Sequence, residues 1–394
     1  MIARITVIII LLGIAVFIIL PFTLFWFGIN IFPQGGVSVA PQPQKSGIST
    51  VAEDLGILIR SEDGGMTWHN AARSENPTIP FPSQVYALVN HPKDPDVMFM
   101  TGAGAGLWKS MNRGLTWNKV IDAGGVLVSD ADVYDVELLG PNADTVYVAV
   151  YEKTHGRVLR SDDAGMHFKE LYVTSKERAP VYDIVIDSTD KKHILAVTGE
   201  GTLIETKNAG TTWRIKKILA KPLMRLIANP YDVSELYAIN ADGEVLKSVT
   251  GGNDWSDPLG TPAGERPPLE HYSPTLYDLF GSPPKGLDTV FTLDSNNASR
   301  AYLAFQKSLL RSDDAGLTWK EMNLLFNKDL LPVRALAIDP HKSSIMFIAA
   351  SGELNKSTDG GMTWSDIPLP AGVNIKRLMI NSNDSKLMFA VIGK

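Results

Sequence analysis

The sequence predicts an all-β fold: a seven-bladed β-propeller with four-stranded antiparallel blades, preceded by one transmembrane helix. Three observations predict it. An octapeptide recurs seven times, a strand–turn–strand unit recurs seven times in alternation with it, and the stretch from residue 5 to residue 32 carries no charge. Periods of roughly 40–50 residues filled with short strands are the mark of a propeller.

In chain order, residues 1–4 form a short cytoplasmic end and residues 5–32 an apolar span of 28 residues. At about 1.5 Å per residue this exceeds a hydrocarbon core of about 30 Å. It is longer than the apolar region of a cleaved signal peptide, so an uncleaved anchor is expected. Arg4 and the terminal amine are the positive charges before it and Lys45 is the next after it. The positive-inside rule therefore puts the N-terminus in the cytoplasm and the rest of the chain outside, in a periplasm, in a lumen or at a cell surface. Residues 33–54, rich in Pro, Gly, Gln and Ser, read as a flexible stalk.

From residue 55 to residue 394 the chain is occupied by the two repeats. The octapeptide copies are SEDGGMTW, SMNRGLTW, SDDAGMHF, TKNAGTTW, SVTGGNDW, SDDAGLTW and STDGGMTW. Their candidate structural residues are Ser61, Asp63, Gly65 and Trp68; Ser110, Asn112, Gly114 and Trp117; Ser161, Asp163, Gly165 and Phe168; Thr206, Asn208, Gly210 and Trp213; Ser248, Gly252 and Trp255; Ser312, Asp314, Gly316 and Trp319; and Ser357, Asp359, Gly361 and Trp364. A hydroxyl and a carboxylate or amide two residues on satisfy local backbone N–H groups, and the glycine supplies positive φ. The aromatic then opens the next strand and buries its ring between sheets. Between copies lie hairpins such as IVIDSTDKKHILAV and LAIDPHKSSIMFIA. Each blade thus takes strands A and B from the hairpin and C and D from around the octapeptide.

The repeat region begins with a C–D unit and ends with an A–B unit, and together the two ends supply one period. Closure of the ring by pairing them follows, because it removes the open sheet edges. The glycine spacings are 42–51 residues except for 64 between Gly252 and Gly316. That excess marks an insertion at 257–286, rich in proline and carrying Tyr272 and Tyr277.

The octapeptide matches the S-x-D-x-G-x-T-W pattern of the Asp-box, or BNR, repeat. A single seven-bladed Asp-box wheel behind an N-terminal segment resembles the photosystem II stability and assembly factor family. That resemblance implies a non-enzymatic, chaperone-like scaffold for membrane complexes. The chain lacks the lipidated cysteine of the cyanobacterial type and has a long apolar span instead. More distantly it is similar to the Asp-box propellers of sortilins and sialidases. It lacks the disulfide module of the first, and of the second's aromatic-Arg-Ile-Pro motif it has only Glu177-Arg178-Ala179-Pro180.

Composition narrows the chemistry. With 37 Lys and Arg against 43 Asp and Glu, a net charge of −6 argues against nucleic acid. The absence of cysteine excludes a disulfide framework, a thiolate metal site and a cysteine nucleophile. Asp162-Asp163 and Asp313-Asp314 lack the alternation of a calcium loop, and the seven histidines show no paired spacing. No catalytic residue, cofactor or metal ligand is therefore assigned. Loop carboxylates such as Asp130, Asp132, Glu177, Glu200 and Glu353 leave a glycan-binding or glycan-hydrolysing propeller as the alternative. For a protein partner, the long loops of the D–A and B–C face are favoured. Asp135, Asp183, Arg225, Arg334 and Arg377, near the starts of A strands, are the candidate contacts, with Tyr272 and Tyr277 on the inserted arm.

Overall fold

The computed structural model describes residues 55–140, 144–258, 288–324 and 331–393. The predicted anchor, the stalk, and Tyr272 and Tyr277 lie outside the described residues, as does nearly all of the 257–286 insertion. Among the described residues no helix is long and apolar enough to cross a membrane.

Seven antiparallel sheets follow one another along the chain and form the seven blades of a propeller. We number them from the inner strands Val85–Asn90, Asp132–Leu139, Val181–Ile186, Leu223–Asn229, Phe291–Asp294, Ala335–Ile338 and Ile375–Ile380, which begin blades 1 to 7 respectively. Six blades have four strands. In blade 4 the outer strand is reduced to one antiparallel bridge, Lys247 with Ser256, just before the chain enters its long insertion.

Second strands of the blades, such as Ile194–Thr198 and Met346–Ala350, are buried at every residue. Both faces of a blade are covered by its neighbours, so these strands read as continuous apolar runs instead of alternating. Each of seven hydrophobic clusters lies between one pair of adjacent blades. Tyr147, Ala149 and Val158 of blade 2 pack on Val181, Ile184 and Ile194 of blade 3, for example.

The ring closes as the repeat order requires. Strand Leu58–Ser61 pairs with Met388–Ile392, with Leu58 opposite Val391 and Ser61 opposite Met388, so blade 7 is built from both ends of the propeller. Phe389 secures the joint: it is fully buried, and its ring lies against Gly114 of blade 1 so closely that a methyl there would overlap it.

Each Asp-box is a hydroxyl-centred turn. In all seven copies the Ser or Thr oxygen accepts the N–H of the glycine four residues on, at 2.7–3.0 Å. In the first copy Asp63 accepts the N–H groups of Met66 and Thr67 and the Thr67 hydroxyl at 2.6 Å. Burial works against its ionisation, but these hydrogen bonds outweigh it and hold the carboxyl at about 2. In the fifth copy Thr250 stands in the carboxylate's place and accepts the N–H of Asp254 at 2.8 Å. The aromatics divide. Trp117 is fully buried and Trp68 and Phe168 nearly so, whereas Trp213, Trp255, Trp319 and Trp364 are half-buried at the blade rims.

Candidate functional site

The inner strands enclose a central channel of about 680 Å³. Five of them slip register near their starts, at Val85/Leu88, Val133/Asp135, Val181/Asp183, Leu223/Arg225 and Ile375/Arg377. A bulge leaves an extra residue unpaired and re-aims the side chains beside it. Consecutive residues such as Tyr134 and Asp135, Tyr182 and Asp183, or Lys376 and Arg377 consequently all line the channel.

The lining is divided by charge. Blades 2 and 3 contribute Asp135, Glu137 and Asp183; blades 4, 6 and 7 contribute Arg225, Arg334, Lys376 and Arg377, with Asp288 beside them. The five channel residues expected from sequence thus meet in one cavity, the acids on one arc and the arginines on another.

Three of them also tie blade to blade. Asp135 accepts the N–H of Ile184 in blade 3, and Asp183 the N–H of Leu226 in blade 4, each at 3.0 Å. Arg225 donates to the carbonyl of Thr289, ahead of blade 5, at 3.4 Å. The Asp135 and Asp183 carboxyls lie within hydrogen-bonding reach of each other, a contact that requires a proton on one of them. Protein surrounds them, though water reaches them through the bore, and this enclosure raises both acids. The negative charge of Asp135 lifts Asp183 further, while Arg225 acts against the rise. Glu137 is pushed well above the ordinary carboxylate range, first by burial and then by Asp135 and Asp183. In blade 7, burial and the like charge of Arg225 bring Arg377 down to about 10.

Sequence reasoning missed Glu137 and three tyrosines. Tyr86 and Tyr134 stack with centroids 4.8 Å apart and planes 15° apart, and Tyr182 meets Tyr134 edge-on at 4.8 Å and 70°. A signal existed: Val-Tyr-Ala or Val-Tyr-Asp opens the inner strand of three successive blades, at Val85, Val133 and Val181. Glu137 stands two residues beyond Asp135, hence on the same strand face.

Of the carboxylates expected in loops, Asp132 and Glu353 instead begin strands, and Asp132 and Glu200 have local partners. Asp132 accepts the N–H of Gly104 at 2.6 Å, and Glu200 takes the N–H of Lys176 at 2.8 Å. Asp162 binds Arg160 and Lys169, and Asp313 binds Arg300 and Arg311. Among the described residues no group of three or more His, Asp or Glu is placed to hold a metal ion.

No protein-family model matches the chain. A xyloglucanase of Acetivibrio thermocellus is 26% identical over 152 residues, which cover 34% of this chain and 18% of the relative, so the chain spans about a fifth of that protein's length. Three solved structures resemble the fold over most of the chain. YCF48 from Cyanidioschyzon merolae has a TM-score of 0.55 and 15% identity, covering 80% of this chain and 98% of its own. YCF48 bound to D1 peptide has a TM-score of 0.54 and 14% identity, covering 82% and 98%. The GH74 xyloglucanase from Xanthomonas campestris has a TM-score of 0.58 and 14% identity, covering 79% and 51%. The likeness is one of fold. It joins this chain to a wheel solved with a peptide and to a longer enzyme alike.

Proposed function

We propose that this protein is a membrane-anchored, extracytoplasmic and non-enzymatic scaffold that captures a segment of a protein partner at the channel mouth and so assists assembly of a membrane or envelope complex. The observation that carries the reading is the charge-divided channel. An acidic arc facing a basic arc orients a charged polypeptide segment, because each wall rejects the wrong end. A comparable wheel solved with a bound peptide supports it, as does the match to nearly the full length of that wheel. The N-terminal span and its flanking charge supply the anchor and the outward orientation.

A second reading, glycan binding or hydrolysis, has the xyloglucanase likeness and the channel carboxylates in its favour. Hydrolysis needs two carboxyls about 5–5.5 or 6.5–9.5 Å apart with the sugar between them. Asp135 and Asp183 instead lie within hydrogen-bonding reach of each other, so this pair matches neither separation.

The test is affinity capture from detergent-solubilised membranes beside a glycan-cleavage screen. Reversing Arg225, Arg334 and Arg377 to glutamate should weaken capture several-fold or more while the protein still melts cooperatively. Glycan cleavage abolished by Asp183→Asn, with no captured protein, would overturn the scaffold in favour of the enzyme.

A further inference from the structure

The proposed mouth is lined by acids and by bases, and one of its acids is a carboxyl without a partner. We propose that the wall built by blades 1 to 3 receives a cationic side chain, a lysine or arginine of the partner segment, with Glu137 as its counter-ion and the Tyr86, Tyr134 and Tyr182 rings as its guide. This rests on the protein-segment reading and names the chemistry of that segment.

Glu137 lies in strand Asp132–Leu139 and lines the channel half-buried, with protein around it and water reaching it through the bore. Among the described residues its carboxylate has neither a hydrogen-bond donor nor an ion-pair partner. The acids beside it are Asp135 on its own strand and Asp183 on blade 3, and Lys191 is the positive group that acts on it. Asp135 and Asp183 are matched by each other, by the backbone N–H groups of Ile184 and Leu226, and by Arg225. Glu137 has no comparable match. A carboxylate set beside two other acids without a partner of its own is disfavoured in its ionised form, and a cation brought in from outside supplies what the fold does not.

The tyrosines explain why that cation belongs to a side chain. They stand one residue before Ala87, Asp135 and Asp183 and line the same channel, and their stacked and edge-on rings form a half-buried aromatic wall. Such faces attract ammonium and guanidinium groups and accommodate an alkyl stem. A bare metal ion would need several converging oxygen ligands, and the described residues offer no such group. Arg225, Arg334, Lys376 and Arg377 line the rest of the channel, Arg225 acting on Asp135 and Asp183 and Arg377 on Tyr86, which leaves Glu137, of these three acids, as the one on which no arginine acts.

Burial and the neighbouring acids favour the protonated form of Glu137 in the free protein. Binding of a cation favours the ionised form and so expels a proton. Affinity then rises with pH, by as much as tenfold per unit for one proton.

The experiment titrates the full chain in detergent micelles with acetyl-Gly-Gly-Arg-Gly-Gly-amide and with its glutamate counterpart, by calorimetry in two buffers of different ionisation heat. The arginine peptide should bind more tightly than the glutamate peptide, more tightly at pH 8 than at pH 6, and with proton release. Glu137→Gln, nearly isosteric and checked by its thermal transition, should weaken it tenfold or more and abolish the release. Tyr134→Leu should weaken it several-fold and keep the release. Equal binding of the two peptides, or Glu137→Gln binding like wild type, overturns the inference. A membrane partner lost on arginine reversal but fully retained by Glu137→Gln also overturns it and leaves the scaffold standing. Arginine-peptide binding that obeys these rules, with no partner captured, supports the site and counts against the scaffold.

Discussion

Phe389→Ala probes the closure of the ring at its joint. The ring is fully buried among Leu58 of the N-terminal strand and Val85, Trp108 and Trp117 of blade 1, and its backbone lies opposite Arg60. Truncating such a phenylalanine costs about 3–5 kcal/mol. For the compact unit Ala52–Lys394, an unfolding entropy of about 2.1 cal/mol/K per residue amounts to roughly 0.7 kcal/mol/K. Tm should therefore fall by about 4–7 °C in differential scanning calorimetry of the full chain. Leu317→Ala, at a residue 73% exposed on an Asp-box, is the control and should move Tm by less than about 1 °C. Deleting residues 371–394 goes further, removing Ile375, Leu387, Met388 and Phe389, all essentially buried. At about 1.5–3 kcal/mol each, roughly 6–12 kcal/mol is lost, comparable with a whole domain's stability of about 5–15 kcal/mol. The single cooperative transition should vanish. A truncated chain that melts like the intact one, or Phe389→Ala indistinguishable from Leu317→Ala, would refute the closure argument.

Gly360→Ala and Gly361→Ala should separate two costs by thermal melting. Both positions have positive φ, but only at Gly361 would a methyl meet neighbouring side chains, the flexible end of Met322 and the Trp364 ring, so Gly361→Ala should be the more damaging by roughly 0.5–1 kcal/mol. Glu205, buried against Lys216, Arg214 and His193, is held at about 2 by their hydrogen bonds despite the opposing effect of burial, and Asp187 likewise by His193 and local N–H groups. Depressed carboxylates contribute stability above their unfolded values near 4, and that stability is lost as pH falls toward 2. Denaturant melts should show this loss, and Glu205→Gln should flatten it. Asp183 has the opposite sign: its raised value means stability falls as pH climbs from the unfolded value toward the folded one. Asp183→Asn, which can still accept from Leu226, should therefore raise Tm at pH 8 and leave it nearly unchanged at pH 4.

Local chemistry made much of the fold legible. A hydroxyl four residues before a glycine builds the same turn wherever it occurs, so seven octapeptides announced seven blades, and Thr250 serves where the carboxylate is missing. The order of units announced the closure, because a C–D unit at one end and an A–B unit at the other are complementary only if they meet. The rim tryptophans were less legible. Whether Trp117 is sealed while Trp319 stays half-buried depends on the neighbouring blade, which the octapeptide does not encode.

The candidate site was legible only in part. Its charges could be placed near the starts of A strands, yet the pairing of Asp135 with Asp183, the ties to Ile184 and Leu226, and the place of Glu137 could not. By itself the sequence determined the repeat, the blade count and the closing order, because hairpin turns and strand periodicity are set by contacts a few residues apart. The tertiary structure decided which side chains share the bore and which charges meet a partner there. Residues about 48 positions apart come together only when the ring closes, and register slips at the inner strands turn consecutive side chains toward the same water-reached, protein-walled space.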